Sequence, residues 1–466
     1  MDFVNAKYEQ FKNYIKGKNV AVIGIGISNT PLVKFLLKLG AKVTAFDKQT
    51  NEQLGEFYKE LEPLDVKFSL GEDYLKNLKG FDVIFKTPVI RYDIPELVEA
   101  QKEGARITSE MEVFLEICPA RIFGVTGSDG KTTTTTLIYK ILSQEGYKCW
   151  LGGNIGTPLL DKIEEISSND MVVLELSSFQ LHTSSVSPNV AIITNVTPNH
   201  LDIHKSMKEY IDAKKNIYRY QKAEDRLVLN YDNEITKKIA IEAIGDVAFF
   251  SRLFEVEGVY LDGDKIVTNI NGKRTHVMDA SEILIPGIHN IENYLAAIAA
   301  IYDIVSIESI KTVAQTFSGV EHRIELVREL NGVKFYNDSI ASSPTRTIAG
   351  LNSFKQKVIL IAGGYDKKIP YDSMGAPIID KVKKLVLIGQ TGYKIKNAYI
   401  DECKILGIEA GTPIFEALSL EEAVKLAYNE SIEGDIIILS PASASFDMFR
   451  NFEERGRMFK EIVNVL

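Results

Sequence analysis

Between Gly124 and Leu142 the chain reads GVTGSDGKTTTTTLIYKIL, an apolar strand running into a glycine-rich turn and then a helix. Glycines let the backbone curl until N–H groups face phosphate oxygens, the helix N-terminus adds its positive dipole end, and Lys131 supplies a point charge. Gly127, Ser128, Asp129, Gly130, Lys131, Thr132 and Thr133 are therefore the candidate cradle for a nucleotide phosphate, with the Thr132 hydroxyl suited to Mg²⁺. The strict pattern GxxxxGK[ST] is not met, because Val125 stands at its first glycine. The loop implies a nucleotide and leaves the reaction open.

Two further segments end strands with groups that could do chemistry. VVLELSSFQL stops an apolar run at Glu175, a carboxylate able to hold a metal, and IITNVTPNHLDIH delivers His200, Asp202 and His204. In open α/β sheets ligands gather at the carboxyl ends of strands, which is where this spacing puts Glu175, the loop at Gly127 and these histidines. Each histidine alone is more often a capping or surface residue, and only their company makes them candidates.

The elements that must position these groups alternate. Short β-branched runs at Val20–Ile23, Val83–Phe85, Ile122–Val125, Val172–Leu174, Ala191–Thr194, Val358–Ala362, Leu385–Ile388 and Ile436–Leu439 are separated by helical stretches, the pattern of parallel βαβ units. The class is α/β. At 466 residues the chain exceeds one ordinary core, and the strands fall into three clusters, which predicts domains at 1–118, 119–319 and 320–466. The first cluster, NVAVIGIGISNTPLVKFLLKLGAKVTAFDKQ, reads as a dinucleotide-type fold in which Gly24 and Gly26 fit GxGxxG, Asn29 takes the third glycine position, and Asp47 ends the second strand.

Composition excludes several classes. No apolar run approaches the roughly 20 residues of a membrane span, and the charged, aromatic N-terminus lacks a secretory h-region. A cytoplasmic protein is expected. Cys118, Cys149 and Cys403 form no CxxC pair, and a net charge of −9 disfavours nucleic acid as a partner.

The segments GVTGSDGKTT, ELSSFQL, TNVTPNHLD, DAKKNIY, GIHNIENYLAA, EHRIE, YNDSIASSP and LSPASASFDMFRNFEERG resemble, in order, the signatures of the Mur ligase family. ELSSFQL and SPASASFDMFRNFEERG are similar to its D-glutamate-adding branch. The resemblance implies a Rossmann-like N-terminal domain, a central P-loop ATPase-like domain with a parallel sheet, and a Rossmann-like C-terminal domain. It also implies an ATP-dependent ligase joining D-glutamate to UDP-N-acetylmuramoyl-L-alanine through an acyl phosphate, monomeric, with no membrane or nucleic-acid partner.

By that resemblance Lys131, Glu175, His200 and Lys214 carry catalysis. Two Mg²⁺ ions are implied on Thr132, Glu175, His200 and Lys214, the last as a carbamate formed with CO₂; read as a residue alone, Lys214 is a surface cation. Asn290 and Asn293, three apart on one helix face, suit an adenine edge, and Arg323 would serve the nucleotide's phosphate and Asp338 its ribose or the metal-bound water. Ile27 and Ser28 would lie at the pyrophosphate of the UDP substrate, Asp47 and Lys48 at uracil, and Asn154 at the muramoyl peptide. Ser342, Lys367, Ser445 and Phe452 are implied for D-glutamate. Here the chain departs from the family pattern NDSKATN, since NDSIASSP puts Ile340 where a lysine binds glutamate, and Arg346 is the nearest cation able to replace it.

Other readings compete. Another Mur-type or folylpolyglutamate-type ligase shares the loop, an NAD-dependent oxidoreductase would explain Gly24 and Gly26 but not Lys131, and a regulator that has lost catalysis would not need Lys131, Glu175 and Lys214 together.

Overall fold

The computed structural model describes residues 5–198 and 204–466. Its helices and strands alternate into three sheets. The chain packs as two compact units, one formed by Met1–Ala280 with Glu292–Val313 and the other by Ser281–Ile291 with Ala314–Leu466. Among the described residues no helix is long and apolar enough to cross a membrane.

The first sheet holds β1 (Asn19–Ile23), β2 (Lys42–Asp47), β3 (Val66–Leu70), β4 (Val83–Lys86) and β5 (Arg106–Thr108), all parallel in the order β3-β2-β1-β4-β5. The chain builds outward from β1 to β3 and then crosses to β4, so the strand order reverses between β1 and β4. That reversal opens a crevice at their carboxyl ends.

The second sheet holds β6 (Arg121–Thr126), β7 (Cys149–Gly153), β8 (Met171–Glu175), β9 (Val190–Ile193), β10 (Arg226–Asn230), β11 (Asp246–Ser251), β12 (Gly258–Asp262), β13 (Lys265–Ile270) and β14 (Lys273–Asp279). Its order is β14-β13-β12-β11-β10-β9-β6-β8-β7. β7 to β12 are parallel, and β12 to β14 form an antiparallel meander. The last hairpin turns on Asn271 and Gly272, both with positive φ (53° and 74°), the left-handed pair a two-residue type I′ turn requires. β6 runs between β8 and β9, so three neighbouring strand ends converge on the phosphate loop.

These two sheets share one apolar core. Val20, Val22, Leu36 and Phe85 around the first sheet belong to the same buried cluster as Phe114, Ile122, Leu174, Ile193 and Leu229 of the second. The sequence supports this directly, since β9 is apolar throughout and β6 and β8 carry polar or charged residues only at their ends, as strands covered on both faces require.

The third sheet holds β15 (Glu325–Leu330), β16 (Val333–Asn337), β17 (Val358–Gly363), β18 (Val382–Ile388), β19 (Ile414–Glu416) and β20 (Ile436–Leu439) in the order β15-β16-β20-β17-β18-β19. Only the β15–β16 pair is antiparallel, closed by Asn331 and Gly332 in another left-handed turn. Side chains alternate between two cores: Leu360, Ala362 and Leu387 face one, Ile359, Ile361 and Ile388 the other.

Candidate functional site

The phosphate loop is held open by the neighbouring strand. Past β9, the Asn195 carbonyl accepts from Ser128 N and its Oδ1 from Asp129 N, each at 2.9 Å, while Thr194 Oγ1 donates to the Asp129 carbonyl at 2.6 Å. The Ser128 hydroxyl is buried against Thr197 O and Tyr210 Oη, both at 2.9 Å. Two glycines are compulsory here. A Cβ on Gly127 (φ 153°) would lie 1.9 Å from Thr194 Oγ1, and one on Gly130 (φ 79°) 2.4 Å from Asn293 Oδ1.

The helix Lys131–Glu145 starts at Gly130, so the N–H groups of Lys131, Thr132 and Thr133 have no carbonyl four residues back within the helix. Lys131 Nζ folds over the loop to Gly127 O (3.1 Å) and Ser128 O (3.0 Å). The ammonium is thus already held where a phosphate would meet the loop.

Glu175 ends β8 and is 2% exposed. Its Oε1 accepts from Asn154 Nδ2 at 3.0 Å, whereas its Oε2 is buried without a hydrogen-bond partner among the described residues. A carboxylate oxygen left so is costly unless a cation meets it, and hard divalent ions favour such oxygens. Asn154, expected at the muramoyl peptide, therefore also orients this acid.

Lys214, on the helix Met207–Lys215, is 2% exposed rather than a surface cation. Its Nζ donates to Gly127 O at 2.8 Å and to Thr126 Oγ1 at 3.3 Å, and lies 4.6 Å from the centre of the Tyr210 ring. Burial pushes its ammonium well below the usual lysine range, the Lys131 charge adds to this, and Asp129 and Glu175 oppose it. His200 and Asp202 lie outside the described residues.

His204 is described, and it belongs to a different knot. Its Nε2 meets Ser178 Oγ at 2.9 Å, its ring stacks on Phe179, and its ligand atoms group with those of His182 and Glu209. This trio has metal-ligand types, yet both Glu209 oxygens are engaged: Oε1 by Arg91 Nη2 at 2.8 Å and His182 Nε2 at 3.2 Å, Oε2 by Lys205 N at 2.6 Å. A guanidinium on the shared oxygen repels a metal ion. The knot instead ties Arg91 of the first sheet's layer to the second.

In the first sheet Asp47 is 8% exposed and accepts from Ile25 N (2.7 Å) and Gln49 N (2.8 Å), fixing the glycine turn after β1. Lys48 pairs with Glu72 at 3.3 Å, and Ile27 is exposed. Ser28 caps the helix Asn29–Lys38 without a side-chain hydrogen bond.

On the helix Ile288–Ile301, Asn290 Nδ2 donates to Pro286 O at 2.6 Å, and Asn293 Oδ1 accepts from Thr134 Oγ1 at 3.3 Å. Asn293 thus stands against the phosphate loop itself.

In the second compact unit Asp338 is 3% exposed, with Ser440 Oγ donating to Oδ2 at 2.7 Å and Ile324 N to Oδ1 at 3.3 Å. Burial raises its carboxyl to about 7 against the pull of Ser440 and of Arg323. Arg346 Nη1 donates to Ile340 O at 3.3 Å, Ser342 N donates to the same carbonyl at 2.8 Å, and Lys367 Nζ lies 6.0 Å from the Phe446 ring centre. Ser445 is buried, and the Phe452 carbonyl accepts from Ser339 Oγ at 2.8 Å.

Three residues escaped the sequence reading. Asn195 lay inside a quoted motif without being singled out. Arg455 is 1% exposed and binds Ser339 O (2.8 Å), Ser443 O (3.1 Å) and Ala444 O (3.2 Å), joining the loop before Ile340 to the loop before Ser445. Lys86, the buried last residue of β4, carried no signal beyond its place at a strand end.

A phosphate cradle and an acid on adjoining strand ends make this a nucleotide-dependent enzyme of the P-loop class. Residues 18–109 match the Mur ligase MurD-like N-terminal domain, 125–301 the Mur ligase middle domain and 322–443 the Mur ligase glutamate ligase domain. The chain is 64% identical over 462 residues to the UDP-N-acetylmuramoylalanine--D-glutamate ligase of Acetivibrio thermocellus, covering 99% of each, and 59% identical over 464 residues to that of Ruminiclostridium cellulolyticum, covering 99% and 100%. Among solved structures it resembles in fold the UDP-N-acetylmuramate-alanine ligase of Thermotoga maritima, at 21% identity and a TM-score of 0.58 over 96% and 99% of the two chains. A MurF ligase from Thermotoga maritima in complex with ADP is similar at 17% identity and a TM-score of 0.53 over 97% of each. The chain belongs to the Mur ligase family, and it is an ATP-dependent ligase.

Proposed function

We propose that this enzyme joins D-glutamate to UDP-N-acetylmuramoyl-L-alanine in peptidoglycan precursor synthesis in the cytoplasm, acting as a monomer on three domains bounded at 1–118, 119–319 and 320–466. The observation that carries the reading furthest is the buried Oε2 of Glu175, which has no partner among the described residues, on the strand next to the phosphate loop. The terminal carboxylate of the UDP substrate attacks the γ-phosphorus of ATP, and ADP leaves. The D-glutamate amine then attacks the acyl carbon, loses its proton, and expels phosphate as the amide forms.

Such phosphoryl transfer needs charge neutralisation and alignment more than covalent help. Lys131 and the first-turn N–H groups receive phosphate oxygens. Thr132, Glu175, His200 and Lys214 would hold two Mg²⁺ ions, whose charge neutralises the phosphoryl and carboxylate oxygens. Lys214 suits carbamate formation because its depressed basicity leaves a neutral amine, which adds CO₂ and releases a proton. Asn290 and Asn293 serve adenine, Arg323 and Asp338 the phosphates and ribose. Ile27, Ser28, Asp47, Lys48 and Asn154 serve the UDP substrate, and Ser342, Arg346, Lys367, Ser445 and Phe452 serve D-glutamate.

A coupled assay for phosphate release tests the proposal. Release that requires ATP, UDP-N-acetylmuramoyl-L-alanine and D-glutamate together is expected. Equal release with D-glutamate omitted, or with a different amino acid preferred, would overturn it.

A further inference from the structure

Three buried hydroxyls meet beyond the carboxyl ends of β17, β18 and β20. Tyr371 Oη lies 2.8 Å from Ser443 Oγ, Ser443 Oγ lies 2.7 Å from Thr391 Oγ1, and Thr391 Oγ1 donates to Gly364 O at 3.2 Å. Each hydroxyl has one proton, and this sets the direction of the chain. Thr391 spends its proton on Gly364, so it accepts from Ser443, and Ser443 in turn accepts from Tyr371. Thr391 also precedes the helix Gly392–Leu406, where a threonine hydroxyl ordinarily accepts from the helix's own N–H groups; here it is turned onto Gly364 instead.

The chain of hydroxyls brackets two of the candidate D-glutamate residues. Gly364 opens the loop 364–371 and Tyr371 closes it, with Lys367 between, so both ends of that loop are held by the same three side chains. Ser443, in the middle of the chain, stands two residues before Ser445. The backbones of the two loops already touch: Tyr365 N donates to Ala444 O at 2.9 Å, and a Cβ on Gly364 (φ 149°) would lie 2.3 Å from that oxygen. Arg455 Nη1 donates to the Ser443 and Ala444 carbonyls as well. A buried hydroxyl gains little net stability from its hydrogen bond, but the bond is directional, so three in a chain specify geometry more than they stabilise the fold.

We infer that Tyr371, Ser443 and Thr391 are positioning residues for the incoming amino acid, setting the spacing between the loop that bears Lys367 and the loop that bears Ser445. This rests on the D-glutamate reading of those two residues proposed above. D-glutamate carries its two carboxylates at the ends of a short chain, so groups that receive them from separate loops must be held at a fixed separation to bind it well.

The test is steady-state kinetics of the full chain by phosphate release, with each substrate varied in turn. Thr391→Val removes the acceptor for Ser443 and the donor to Gly364 with little change of shape, and is expected to raise the KM for D-glutamate at least about tenfold while the constants for ATP and the UDP substrate stay unchanged. Thr391→Ser, which keeps the hydroxyl, should restore most of the loss. Tyr371→Phe removes only the first donor of the chain and should raise the same constant about threefold. Combined with Thr391→Val it should add nothing further, because both act through Ser443. Lost thermal stability with an unchanged D-glutamate constant in Thr391→Val overturns the inference, as do equal rises for all three substrates or full additivity in the double variant. Should the valine variant fail to fold, Tyr371→Phe carries the test, and an unchanged D-glutamate constant there overturns the inference as well. Wild-type phosphate release that does not require D-glutamate would instead defeat the substrate reading, whatever the three hydroxyls do.

Discussion

Arg346 Nη1 donates to the carbonyl oxygen of Ile340 at 3.3 Å, so the guanidinium six residues on lies back over the position where the family pattern has a lysine. Its charge also reaches Asp338, whose carboxyl it helps to lower against burial. Arg346→Ala should raise the KM for D-glutamate about tenfold, roughly 1.4 kcal/mol, while the constants for ATP and the UDP substrate stay put. An unchanged D-glutamate constant together with a large rise in Lys367→Ala would assign the task to Lys367 alone.

Glu175→Gln keeps the shape and the Asn154 contact but removes the charge from an oxygen that no donor among the described residues satisfies. Turnover should fall by at least about a thousandfold, with the Mg²⁺ requirement shifted to higher concentration. The fold should survive, because a buried unpaired charge has been removed. Normal turnover at ordinary Mg²⁺ would separate Glu175 from the metal.

Lys214→Ala removes an amine that burial holds well below its usual basicity. Activity should collapse and return in part with acetate or formate, which can supply the missing oxygens. Intact-protein mass spectrometry under bicarbonate should show added mass on the wild type only. Unimpaired activity in the alanine variant would end the carbamate idea.

Asp338 predicts a pH dependence of stability. Its folded pKa, about 7, lies above the ordinary value of 3.8, so between these limits the native state binds more protons than the unfolded state. The protonated group favours folding fully below the ordinary value, and that contribution is lost as pH rises through about 7. Asp338→Asn should therefore be more stable than wild type at pH 8 in thermal melts and should lose the slope across that window. Parallel curves for the two proteins would show that Asp338 is not the source.

The glycines give a contrast within one molecule. Gly127→Ala drives a Cβ to 1.9 Å from Thr194 Oγ1 and should abolish ATP binding, whereas a Cβ on Gly26 meets nothing within 4 Å. Gly26→Ala should melt with the wild type, so any loss of UDP affinity there reports close approach of the ligand to the backbone. A large drop in melting temperature for Gly26→Ala would refute this.

What could be read from sequence follows from burial. β1, β4, β6, β8, β9, β17, β18 and β20 are covered on both faces, so their apolar runs announce them, although β18 starts at Val382 rather than Leu385. β14, KRTHVMD, is polar at its exposed end and escaped notice; Asn271 and Gly272 before it were the available sign. Lys214 was flagged only through its family motif, because a helical lysine is ordinarily solvated and its burial arises from the loop at Gly127, remote in sequence, together with Tyr210 one turn earlier on the same helix. Lys86 was left off the end of β4 for the same reason: a charge normally marks where a buried strand stops.

The core shared by the first two sheets has a consequence for dissection of the enzyme. Residues 18–109 have a sheet and a domain match of their own, yet Val22, Leu36 and Phe85 are buried with Ile122, Leu174 and Ile193. Severed from its neighbour, the N-terminal fragment would present that apolar face to water and aggregate rather than act as a portable nucleotide module. Melting should accordingly be cooperative across both sheets, and an inhibitor that stiffens either one should slow amide hydrogen exchange in the other.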